Sequence, residues 1–128
     1  MAMIRFDPFR DLAVMSRGAW SPAVDIYEVE GALVLKAELP DMSREDVDVS
    51  VENNTLTIRG ERKLGNEIKK ENFHRVERAY GSFVRSFSLP TTIDTTKIGA
   101  DYKNGVLTIK LPLREESKPR TINIEVAA

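Results

Sequence analysis

Alternating apolar and polar positions run through most of the chain and predict strands. Leu33, Leu35, Ala37 and Leu39 alternate with Val34, Lys36 and Glu38. Val47, Val49 and Val51 alternate with Asp48, Ser50 and Glu52, and Leu56 and Ile58 alternate with Thr55, Thr57 and Arg59. Phe83, Phe87 and Leu89 share a face with Arg85, while Val84, Ser86 and Ser88 point the other way. Leu107, Ile109 and Leu111 alternate with Val106, Thr108 and Lys110. A period of two, rich in β-branched residues, describes half-buried strands. Arg85 then carries a charge on an inward face, so it must be paired or sit at a contact between chains.

The breaks agree with this pattern. Glu30-Gly31, Asn53-Asn54 and Asn104-Gly105 lie between apolar runs and tolerate the positive φ that tight hairpins need. Pro40, Pro90 and Pro112 each follow a run and should stop its ladder. Many short strands with close turns predict an all-β fold, an immunoglobulin-like antiparallel β-sandwich.

Three segments stand outside the alternation. Residues 1–21 form an amino-terminal arm with Ile4, Phe6, Phe9, Leu12, Val14, Met15 and Trp20; Asp7-Pro8 is a candidate helix start. Residues 61–79 are a charged excursion around Leu64, Ile68 and Phe73. From 114 to 128 a polar tether, Arg114 to Arg120, leads to Ile122, Ile124 and Val126, whose alternation with Asn123 and Glu125 predicts a terminal strand. The central domain spans 22–113.

Composition narrows the function classes. With 128 residues the chain suits one domain, and 41% hydrophobic with 30% charged residues is ordinary for a folded, water-exposed protein. A net charge of −1 offers no field for nucleic acid or anionic lipid. The absence of cysteine removes disulfides and thiolate chemistry. Arg5, Asp7 and Arg10 interrupt the amino terminus, unlike a signal peptide, and no run approaches the ~20 apolar residues of a membrane span. The expectation is a cytoplasmic protein with no membrane or nucleic-acid partner.

Catalytic chemistry finds little support. His74 is the single histidine and sits in the charged excursion, where a solvated surface role is expected. No phosphate-cradling glycine loop and no Gly-x-Ser-x-Gly elbow occurs. Glu61 with Glu67, or Asp46 with Asp48, would be the carboxylate pairs to consider, and acids on the outer face of a strand are ordinarily just solvated. No enzyme, metal or cofactor is expected.

The stretch Ala100-Asp101-Tyr102-Lys103-Asn104-Gly105-Val106-Leu107 resembles the signature of the α-crystallin domain. Val24-Asp25-Ile26-Tyr27-Glu28, Ala37-Glu38-Leu39-Pro40-Asp41, and the block from Glu77 to Pro90 resemble further segments of that family. Ile122-Asn123-Ile124 matches its Ile-x-Ile tail, and Arg5-Phe6-Asp7-Pro8-Phe9 resembles the start of bacterial members. On these motifs the chain is similar to small heat-shock proteins of the bacterial type.

That resemblance implies an ATP-independent holdase that binds unfolding client proteins and prevents their aggregation. It implies a homodimer by strand exchange: Ile68, Lys69 and Lys70 in the 61–79 dimerisation loop would pair with the 23–29 edge, which includes Ile26, and Arg85 would belong to the dimer region. Ile122 and Ile124 would fill a groove on another dimer, and an extended tether from Pro112 could reach ~33 Å to it. The candidate walls are 46–52 and 99–102, with Val47, Val49, Val51, Leu107 and Ile109 as groove residues. Phe6, Phe9, Leu12, Met15 and Trp20 would meet clients. The arm is short for a bacterial member, which predicts a modest or altered oligomer. The competing reading is a co-chaperone-like sandwich that binds one partner without oligomerising.

Overall fold

The computed structural model describes residues 14–64 and 68–127. Among these residues eight strands build two antiparallel sheets. In chain order they are β1 (Val14–Gly18), β2 (Val24–Val29), β3 (Ala32–Glu38), β4 (Val47–Glu52), β5 (Thr55–Arg62), β6 (Gly81–Ser88), β7 (Gly99–Lys103) and β8 (Val106–Pro112). One sheet has the order β1-β6-β5-β4 and the other β2-β3-β8-β7. The sandwich expected from the alternation is present.

The core lies between the sheets. On β3 and β8 the facing pairs Leu33–Leu111, Leu35–Ile109 and Ala37–Leu107 point inward, and each of these residues is buried. Leu56 and Ile58 of β5, with Phe83 and Phe87 of β6, cover them from the opposite sheet. Fully burying side chains of this size stabilises by roughly 1.5–3 kcal/mol each. Val34 is buried as well, although it alternates with the inward set. It lies beside Tyr27 of β2 and Lys110 of β8, whose side chains flank it on the outer face.

The turns adopt the expected conformations. Asn53 and Asn54 have φ 52° and 57°, and Asn104 and Gly105 have φ 54° and 76°. Two successive positive values match the twist of the strands they join.

Four features differ from the expectations. Val14–Gly18, placed in the arm, forms β1 and pairs with β6 from Val14–Phe87 to Gly18–Phe83. Backbone pairing to an open edge needs no alternating signal in the guest segment. No strand forms at Ile68–Lys70; a 3₁₀ turn runs over Lys70–Asn72 instead. Residues 119–127 form no strand either, since an extended segment without a neighbour has no ladder to join. Finally, Pro112 does not stop the ladder: it ends β8 opposite Ala32, and Leu113 still bridges Ile93.

The tether is also partly fastened. The Leu113 amide donates to Gly31 O at 3.0 Å and the Arg114 amide to Thr92 O at 2.7 Å. Arg114 Nε donates to Thr91 O at 2.9 Å, and Lys118 Nζ to Glu115 Oε1 at 2.9 Å. Free chain therefore begins near Pro119.

Candidate functional site: an inter-sheet cleft and a bare chain end

β4 and β7 are the outermost strands of their sheets, on the same side of the sandwich, and a cleft of about 350 Å3 opens between them. Val47 and Val49 of β4, Ala100 and Tyr102 of β7 and Leu107 of β8 give it an apolar surface. Arg44, Glu45, Asp48 and Asp101 give it a charged rim. The Tyr102 hydroxyl donates to Leu39 O and lies 3.0 Å from Met42 O, which ties the β3–β4 connection to β7 and fixes that end of the cleft. At the same end Ser43 caps a short 3₁₀ turn, its hydroxyl donating to Asp46 Oδ2 at 2.8 Å. That bond, with the Ser43 amide, holds the Asp46 carboxyl below its ordinary range.

Of the five expected groove residues, Val47, Val49 and Leu107 line this cleft. Val51 is half-buried further along β4, and Ile109 is wholly buried in the core, so neither lines it. Ile122 and Ile124 are 79% and 92% exposed and Val126 is 94% exposed. The tail isoleucines therefore do not enter their own sandwich.

The residues expected at a dimer contact lie in three places, on β2, in the long loop and on β6. Among the described residues β2 is hydrogen-bonded on one side alone, to β3, and presents Tyr27 and Val29 outward, while Ile26 packs against the core. Ile68 and Val76 of the long loop are each 53% exposed, and Lys69 and Lys70 are exposed. Arg85 is half-buried: Nη1 donates to Pro22 O at 2.9 Å, and the guanidinium lies 5.2 Å from the Phe87 ring centre. Its Nε is buried without a partner, and burial lowers its pKa. No carboxylate balances this charge among the described residues, so a ring and a carbonyl take that part.

Phe6, Phe9, Leu12 and the Met15 side chain lie outside the described residues. Trp20 is half-buried, edge-on to Phe83 with ring centres 5.0 Å apart, and its Nε1 donates to Gly81 O at 2.8 Å. That position is the seat of the arm on the domain. His74 is exposed, and among the described residues no cluster of metal-ligating side chains occurs. No helix there is long and apolar enough to cross a membrane.

Arg62 escaped the sequence analysis. It is 7% exposed, beneath Trp20 and beside a larger cleft of about 690 Å3 at the base of the long loop. Strand parity carried the signal, since Leu56, Ile58, Gly60 and Arg62 share the inward face of β5.

With this arrangement in view, comparison with known proteins is informative. A family model described as the Hsp20/alpha crystallin family matches residues 25–126. The chain belongs to that family. It is 42% identical over 104 residues to small heat shock protein C4 of Rickettsia felis, an alignment covering 81% of this chain and 64% of that protein. It is 39% identical over 133 residues to the 17.6 kDa class I heat shock protein 3 of Arabidopsis thaliana, covering 95% and 85%. Among solved structures, a small heat-shock protein from Xylella fastidiosa, described as having a distinct high order structure, superposes with TM-score 0.73 at 41% identity. That match covers 84% of this chain and 99% of the other. HspA from Xanthomonas axonopodis gives TM-score 0.68 at 44% identity, over 74% and 95%.

Proposed function

We propose that this small heat-shock protein is a cytoplasmic, ATP-independent holdase that assembles from strand-exchanged dimers. The observation that carries the reading is a complementary pair: a cleft with an apolar wall between β4 and β7, and a bare Ile122-Asn123-Ile124 segment on the same chain. An extended segment docking in that cleft would gain backbone bonds from an open strand edge and selectivity from alternate side chains. Burying the two isoleucines is worth roughly 1.5–3 kcal/mol each before ordering costs. Such a contact exchanges readily, yet holds an assembly when repeated. An unfolding client offers the same chemistry, so chain ends and clients would compete for one surface. The arm would supply further apolar contacts, and the open β2 edge would receive the partner's loop, with Ile68, Lys69 and Lys70 in the exchanged segment. No nucleotide is required, because the client's own exposed surface supplies the free energy.

Two measurements test this. Deleting residues 121–128 should reduce native mass from the oligomer to dimers, and an unchanged mass would favour the co-chaperone-like alternative. At equal subunit mass the intact chain should suppress aggregation of a heated enzyme without ATP, and failure would remove the holdase assignment.

A further inference from the structure

The Arg62 side chain at the end of β5 is a buried cation with an unusual set of neighbours. Its guanidinium lies 4.3 Å from the Trp20 ring centre and 5.8 Å from that of Tyr80. Nε donates to Ala79 O at 2.7 Å and Nη1 to Pro40 O at 3.3 Å. No carboxylate pairs with it among the described residues. A buried charge without a counter-ion depends on every dipole and ring that surrounds it, because each one lost returns a desolvation cost.

These neighbours come from two segments far apart in the chain. Ala79 and Tyr80 are the return end of the long loop, and Trp20 is the base of the arm. The base of the arm is also fastened to the first residues of β6. The Ala19 amide donates to Ser82 O at 2.8 Å, and Trp20 Nε1 to Gly81 O at 2.8 Å. Gly81 has φ 109°, and a Cβ there would come 2.9 Å from Ala19 Cβ, so the approach admits no side chain.

We propose that Arg62 is a positioning residue that couples the loop to the arm, so that unseating Ala79–Tyr80 also unseats Ala19–Trp20. If the loop loosens, the guanidinium loses its best acceptor and turns toward water, taking its face from the indole. The indole then keeps only its edge contact with Phe83 and its bond to Gly81 at the start of β6. Displacement at one end thus reaches the other through one side chain. The proposal concerns the chain itself and stands or falls independently of the holdase reading.

The test is a mutational cycle in the full chain, read by native-state hydrogen exchange. Tyr80→Leu alters the loop side without touching Trp20. It should speed exchange of the 14–20 amides by about tenfold, the range expected for coupled neighbours. Arg62→Lys keeps the charge but loses the planar fork, and in that background Tyr80→Leu should add less than about twofold. Trp20 is the single tryptophan, so its emission gives a second readout and should shift red in Tyr80→Leu. Protection of β3 and β8 checks that the core is intact; if Arg62→Lys loses it, Arg62→Gln completes the cycle. Unchanged exchange at 14–20 in Tyr80→Leu overturns the proposal, as does an effect of equal size with and without Arg62.

Discussion

Gly60 determines how closely β5 approaches its neighbours. A Cβ at this position would sit 2.5 Å from Asp46 O and 2.9 Å from the Phe83 ring. Backbone on one side and a fully buried ring on the other leave nowhere for it to go. Gly60→Ala should therefore destabilise by about 1–3 kcal/mol, read as a lower urea midpoint at unchanged slope. Asp46, nearby, gives a pH-dependent effect. Its folded pKa lies below the ordinary value because Ser43 donates to the carboxylate, so its stabilisation is present at neutral pH. That stabilisation disappears as pH falls through about 4 and below, where the unfolded and then the folded carboxyl take up protons. The difference in urea midpoint between the parent and Ser43→Ala should accordingly be larger at pH 7 than at pH 3. At this scale sequence served unevenly. Alternation singled out Phe83, Phe87, Leu35 and Ile109, all of them core. Arg62 was passed over because a charge at a strand end reads as solvent-facing until a ring is seen to cover it.

Elements were legible where their own side chains decide the outcome. β5, β6 and β8 bury one face, and their period of two follows from that burial, while β3 also buries Ala32 and Val34 on its other face. β1 was not legible, because its place depends on the edge that β6 offers and not on a pattern of its own. The same physics explains the missing strands at Ile68–Lys70 and in the tail, whose ladders would have to come from a neighbour. The fastened start of the tether was hidden too: Arg114 reads as one more charge in a polar run, yet it binds Thr91 O and Thr92 O. Arg114→Ala keeps the backbone bond and loses the side-chain one. Amides of residues 115–118 should exchange several-fold faster, while global stability changes by less than about 1 kcal/mol. Equal exchange would mean that the Leu113 and Arg114 backbone bonds suffice to hold this turn.

At the scale of the whole molecule, the alternating pattern placed strands around the cleft but not the shape of its rim. The segments expected as groove walls are the strands β4 and β7 that flank this cleft, whereas Ile109 belongs to the interior and the charged rim of Arg44, Glu45 and Asp101 was not foreseen. Arg85 joins β6 to the segment preceding β2, the edge proposed to receive the partner. Arg85→Gly removes the contact with Pro22 O and the cover over Phe87. Light scattering should give a lower mass at a given concentration, with a melting temperature several degrees lower. Unchanged mass would separate Arg85 from assembly.

Among the described residues the outermost strands, β1 and β4 in one sheet and β2 and β7 in the other, each leave a row of backbone donors and acceptors without a strand beside it. Folding therefore completes this protein on the inside and leaves its rims unfinished. If partners dock as proposed, what fills those rims is set by supply, so the amount of the protein made, and the company it is made in, become part of its structure.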